Sequence, residues 1–200
     1  ATGQLDRYTF ADARWETVTT ELLPRRHHSA VVVDDRLYLF GGRGEQGPVA
    51  AVEVIDLASG KVRLAAPMPT PRYFASAALH DGRVYVAGGT LGWGRMNVVE
   101  MYDVDANEWY LAPSLGTARD PQLVEAGGAL YALGGYTGGK AEVSTVVERL
   151  EGNRWQKVGD MPKPTSSFSA AAVDGLIFTF GDHRDPDRVL RFDPKALRWT

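Results

Sequence analysis

The sequence predicts an all-β protein assembled from a repeated four-stranded antiparallel sheet, the blade of a β-propeller. Three observations carry this expectation. A short apolar strand pattern runs into two glycines at Leu37–Gly42, Val84–Gly89 and Leu130–Gly135, and a fourth copy, Ile177–Asp182, keeps only the first. Those first glycines fall at 41, 88, 134 and 181, so the steps are 47, 46 and 47 residues. Tryptophan recurs at Trp15, Trp109, Trp155 and Trp199, with Val62 in the slot between the first two. No stretch holds helical periodicity over the dozen or so residues a helix needs. A period of this length is the mark of a propeller or solenoid array.

Taken in chain order, residues 5–19 read as the second half of a unit, with Tyr8 seven places before Trp15. Each full unit then opens on a slot ten residues past the tryptophan slot, filled by Arg25, Arg72, Arg119 and, in the last copy, Thr165. A strand of small apolar residues follows, as in His28–Val33 and Ala170–Val173, suited to a crowded inner position. Turns come next at Asp34-Asp35, His80-Asp81-Gly82, Gly127-Gly128 and Asp174-Gly175, and the three with glycine resemble two-residue hairpin loops. The second strand ends at the glycines, which let the chain turn near the axis at positive φ, where a β-carbon would clash.

After a variable loop, the third strand carries Ile55, Tyr102, Leu150 or Phe192, commonly followed by aspartate (Asp56, Asp103, Asp193), and the tryptophan strand closes the unit. Aromatic and β-branched residues suit these outer strands. The boundaries are a leading half-unit over 1–24 and units over 25–71, 72–118, 119–164 and 165–200. Four antiparallel strands per unit give blades that each bury a face against the next.

The glycine doublet, the Tyr-Asp-like pair (Tyr102-Asp103) and the spaced tryptophan together resemble the Kelch repeat family over nearly the whole chain. Val62, Asp182, Thr165 and the shortened third unit depart from its pattern. The resemblance implies that the first strand of each unit lies innermost and that rings commonly have about six or seven blades. The leading half-unit would then have outer strands without inner ones, leaving edges that natural proteins avoid. The expectation is an arc of a larger propeller, completed by a further segment, by another chain or by self-association.

Bulk properties narrow the function. Two hundred residues bury a core without disulfide or metal staples. A net charge of −3 suits neither a nucleic-acid wrapper nor a polyanion mimic. The absence of cysteine excludes thiol catalysis and thiolate metal sites in this chain, and favours a cytoplasmic setting. No apolar run approaches the roughly 18 residues of a spanning helix, no signal peptide opens the sequence, and no membrane partner is expected. No asparagine has serine or threonine two residues on.

No cofactor is expected. Gly42–Gly47 matches G-x-G-x-x-G, but the strand-like Val49–Ile55 follows where a dinucleotide site needs a helix. Gly134–Lys140 matches the start of a phosphate loop, yet Ala141 occupies the magnesium-binding position. His27 and His28, adjacent on a strand, should point to opposite faces, which argues against a metal pair. Galactose oxidase, a Kelch-type propeller, uses a cysteine-modified tyrosine that this chain cannot form.

By the resemblance, the loops before the inner strand and after the glycines gather on one rim. The first set supplies Arg25, Arg26, His27, Arg72, Tyr73, Arg119 and Asp120, and the second Arg43, Glu45, Trp93, Arg95, Tyr136, Lys140, His183 and Arg184. Arginine and aromatic residues dominate interface hot spots. Arg26, Tyr73, Trp93, Arg95 and Tyr136 lie outside the repeat registers and are the leading binding candidates. Arg72 and Arg119 are candidates too, although a recurrent arginine commonly ties blades together. The rim favours an acidic protein or peptide and lacks the long basic stripe of a nucleic-acid site. The alternative is a carbohydrate-active or sugar-binding propeller similar to sialate mutarotases, with Glu45 or Asp120 as acid–base group facing Arg72 and Arg119. Fold alone does not choose between them.

Overall fold

The computed structural model describes residues 2–139 and 142–200, so Lys140 and Ala141 lie outside the described residues. Among the described residues every regular element is a β-strand, and no helix is long and apolar enough to cross a membrane. The first blade orders Ser29–Val33, Arg36–Phe40, Val52–Asp56 and Val62–Ala65, each hydrogen-bonded to the next. The second runs Ser76–His80, Arg83–Ala87, Val99–Asp103 and Glu108–Ala112. The third runs Asp120–Ala126, Ala129–Gly138, Val146–Glu151 and Arg154–Asp160, with Glu142–Val143 added beside its second strand. The fourth runs Ser169–Val173, Leu176–Phe180, Val189–Asp193 and Arg198–Trp199. Leu5–Thr9 and Arg14–Thr19 form a two-stranded sheet of their own, as expected of a half-unit. Arg43–Gly44 and Gly47–Pro48 make a small hairpin in the first blade's loop.

Inner strands of successive blades lie side by side, which arranges the sheets as a propeller. Strand alternation gives each blade two faces, and apolar residues pack between neighbouring blades, while Val173, Phe180 and Val189 of the fourth are exposed. Tyr38, Phe40, Val52 and Val54 of the first blade pack on Val84, Val86, Tyr102 and Trp109 of the second. Leu133, Val147 and Met161 of the third meet Phe168, Ile177 and Phe192 of the fourth in the same way. The aromatic register of the repeat is a cross-strand pairing: Tyr8 faces Trp15, Tyr102 faces Trp109, Leu150 faces Trp155 and Phe192 faces Trp199. A shorter turn accounts for the compressed spacing in the third unit. The indole Nε1 of Trp109 donates to the Ala66 carbonyl at 2.9 Å and that of Trp155 to Pro113 at 2.8 Å, each reaching back one blade.

The glycine doublets sit at the seams. Gly41, Gly88 and Gly134 have φ of +62°, +67° and +45°, and a β-carbon there would lie 2.5, 2.2 and 2.8 Å from the carbonyl oxygens of Arg72, Arg119 and Thr165 in the following blade. The second glycine's amide donates to that same carbonyl, at 2.8 Å from Gly42, 3.2 Å from Gly89 and 2.8 Å from Gly135. In the fourth blade Asp182 replaces the second glycine. Its carboxylate accepts from the amides of Ser166 and Arg184, both at 2.9 Å.

Each of the first three blades also buries an ion pair. Arg25 pairs with Glu53, Arg72 with Glu100 at 2.9 Å, and Arg119 with Glu148 at 2.7 Å. Arg72 Nη1 donates further to the carbonyls of Gly88 and Val98, at 3.2 and 3.0 Å, joining the ends of two strands of its own blade. The glutamates oppose Leu39, Val86 and Ala132, and the same position opposite Thr179 is Leu190.

Candidate functional site

All four blades contribute to a recess of about 410 Å³ at the mouth of the axis, lined from the segments that precede the inner strands and from the loops that follow the glycines. A hydrogen-bonded belt holds these segments in place. Ser29 Oγ donates to the Ala75 carbonyl at 2.5 Å, Ser76 Oγ to Gln122 Oε1 at 3.1 Å, and Gln122 Nε2 to the Phe168 carbonyl at 2.7 Å. Each bond crosses from one blade to the next.

Backbone conformation sets what each segment presents. His27, Phe74 and Ser167 occupy the same repeat position with φ of +56°, +60° and +54°. The third blade has one residue fewer between its slot arginine and its inner strand (Arg119 to Gln122, against Arg25 to Ser29, Arg72 to Ser76 and Thr165 to Ser169), and that shorter segment carries Pro121, whose ring holds φ near about −65° and cannot make such a turn. Its inner strand therefore begins early, at Asp120, which pairs with Tyr136 across a register shift before Gln122.

That early start brings Asp120 to Arg95. Arg95 Nε lies 2.7 Å from Asp120 Oδ2. The guanidinium stands 4.7 Å from the Tyr136 ring centroid and 5.7 Å from that of Phe74, within cation–π range of both. Asp120 Oδ1 is buried without a hydrogen-bond partner. Burial pushes the Asp120 carboxyl up to about 7, against the opposing pull of Arg95. Burial, aided by neighbouring arginines, lowers His27 and His28 below the usual imidazole range.

The candidates read from the sequence divide into three groups. Arg95 and Tyr136 come together in the recess. Trp93 is 80% exposed at the tip of a loop pinned by Thr90, whose Oγ1 donates to the Gly94 carbonyl at 2.5 Å and accepts from the Gly92 amide at 2.9 Å. Arg26 is exposed nearby, and its backbone pairs with Arg43. Tyr73 is buried, with its Oη accepting from Arg43 Nη1 at 3.3 Å and its ring 5.3 Å from that guanidinium. Arg72 and Arg119 are fully buried in the ion pairs with Glu100 and Glu148, and do not line the recess.

Two expectations change. His27 and His28 both border the recess, because the left-handed backbone at His27 interrupts the alternation assumed for a strand. The cation beside Asp120 is Arg95, from the loop of the preceding blade, in place of the slot arginines Arg72 and Arg119. Sequence reasoning missed Phe74, Gln122 and Phe168. Gln122 carried a signal, since the equivalent positions are Ser29, Ser76 and Ser169. Among the described residues no cluster of His, Asp and Glu could hold a metal ion.

The family model described as the KLHDC2/KLHL20/DRC7 Kelch-repeats domain matches residues 2–182. Among solved structures, the one described as "Structure of YjhT" superposes with a TM-score of 0.75 at 18% identity, over 88% of this chain and 65% of that one. The chain thus spans just under two thirds of that protein's length, and the likeness is one of fold. No curated protein matches the chain.

Proposed function

Since the chain belongs to the Kelch-repeat family, whose domains generally mediate protein interactions, we propose that it is a protein- or peptide-binding module that takes an acidic partner on its loop rim. The observation that carries this reading is Arg95, held between Tyr136 and Phe74 at the edge of the recess with Trp93 displayed on the same loop. A guanidinium stacked on aromatic rings is pre-ordered, so little rotamer entropy is lost when it meets a carboxylate. The exposed indole supplies apolar area of the kind that anchors interfaces. Arg26 and Arg43 extend the cationic surface to the first blade.

A second reading draws on Asp120. A carboxyl that titrates near neutrality inside a recess is suited to proton transfer on a small ligand, which favours the sugar-binding alternative. One preparation tests both. Capture of an acidic protein that is lost with Trp93→Ala and Arg95→Ala supports the interaction module. Saturable binding of an acidic sugar, lost with Asp120→Asn and kept with Trp93→Ala, supports the alternative.

A further inference from the structure

We propose that Asp120 is a built-in competitor for Arg95, so that an acidic partner binds the recess together with a proton taken up by Asp120. This rests on the acidic-partner reading above and adds its regulation.

The geometry is that of an occupied clamp. Arg95 Nε already faces Asp120 Oδ2 in an ion pair at 2.7 Å, outside good hydrogen-bond geometry, and neither Nη1 nor Nη2 donates a hydrogen bond among the described residues. An incoming carboxylate on the free edge would stand close to an ionised Asp120 in a poorly hydrated site, where two like charges strongly disfavour each other. Asp120 is the one carboxylate among the described residues lining the recess. Facing it are His27 and His28 from the first blade, Arg95 from the second, Tyr136 from its own blade and His183 from the fourth. Its Oδ1 is buried and has no hydrogen-bond partner, so a proton there removes a charge that nothing else compensates. The repulsion on the incoming carboxylate is relieved, and Arg95 keeps its full charge for the ligand. The displaced ionisation near neutrality supports the same arrangement. Because linkage is reciprocal, a ligand that promotes protonation must itself bind more tightly as pH falls.

The test measures fluorescence polarisation of a labelled penta-glutamate peptide on the full chain at pH 6 and pH 8, at fixed ionic strength, beside a carbon NMR titration of the Asp120 carboxyl. Glutamate side chains stay ionised across that interval. The parent protein should bind roughly tenfold more weakly at pH 8 than at pH 6, since the competent protonated fraction falls by about that factor. Asp120→Asn should hold the pH 6 affinity up to pH 8, with any residual slope below about pH 6.5 belonging to the imidazoles. Measurable binding with the same pH slope in parent and variant overturns the coupling alone, as does an Asp120 carboxyl that titrates below about pH 5. Failure of both proteins to bind the peptide at pH 6 overturns the acidic-partner reading and the coupling with it.

Discussion

Thr165 and Leu190 replace, in the fourth blade, the arginine and glutamate that form a buried ion pair in each of the other three. Both charges are absent together. That pattern follows from the energetics: a desolvated pair roughly breaks even against apolar residues, whereas one buried charge without its partner is strongly destabilising.

Removing one member of a pair should therefore cost more than removing both. Glu100→Leu should lower unfolding stability by about 3–5 kcal/mol, and the double variant Arg72→Thr/Glu100→Leu should recover most of that loss. Urea unfolding of parent, single and double variants reads the coupling. A double variant no better than the single would contradict the argument.

The seam glycines offer a graded comparison. Gly88→Ala places a β-carbon 2.2 Å from the Arg119 carbonyl oxygen, so backbone must move and several kcal/mol should be lost. At Gly181 the nearest atom to such a carbon is the Pro186 carbonyl oxygen, at 3.5 Å. Gly181→Ala should thus cost only the left-handed strain, about 1–2 kcal/mol. Thermal unfolding should rank the two accordingly.

The repeated tryptophans are not equivalent. Trp109 packs in the seam between the first two blades and donates to Ala66, so Trp109→Ala should cost about 3–5 kcal/mol. Trp15 is 68% exposed on the leading sheet, and Trp15→Ala should fall within about 1 kcal/mol of the parent. Chemical denaturation of the two variants gives the ranking.

At the rim the order of effects reverses. Trp93→Ala should leave stability within roughly 0.5 kcal/mol and weaken partner binding by about 1–3 kcal/mol. Calorimetric titration with a captured partner, beside a melting curve, separates the two quantities. Loss of stability without loss of affinity would count against a binding role for the loop.

Asp120 should make the fold less stable as pH rises. Its carboxyl ionises near 3.8 when unfolded and near 7 when folded, so the folded state holds the extra proton between those values. Its contribution is most favourable below about pH 4, declines through the interval and is fully lost above about 7, with an upper limit of roughly 4 kcal/mol. Asp120→Asn should gain on the parent over that range, read from urea midpoints at pH 4.5 and 8. The histidines act in the opposite sense, since their lowered affinity for protons costs stability as pH falls below about 6.5.

Much of the fold was legible because its registers are physical contacts. Tyr102 and Trp109 recur at fixed spacing because they face each other across a hairpin, and Gly88 recurs because a carbonyl of the next blade crowds it. Glu53, Glu100 and Glu148 form one more register, which identifies the partners of the slot arginines and was overlooked. The site was harder to read. Arg95 meets Asp120 because the third blade's segment, one residue shorter and carrying Pro121, skips the left-handed turn that the others make, and because the loop after Gly89 leans that way. Loop paths have no periodicity, so such pairs leave no trace in spacing. Tyr73 misled for a related reason: it breaks the pattern, but its ring serves to seat Arg43.

The seam between blades has a consequence for how such a chain can diversify. The amides of Gly42, Gly89 and Gly135 hand on to carbonyls of the following unit using main-chain atoms alone. Side chains on the rim, apart from the Ser29, Ser76 and Gln122 belt, can therefore be exchanged without altering the joint that spaces the blades. The scaffold behaves like a keyboard whose frame is indifferent to which letters are printed on the keys, and a selection experiment confined to loop residues could retune recognition while inheriting the same alignment of sheets.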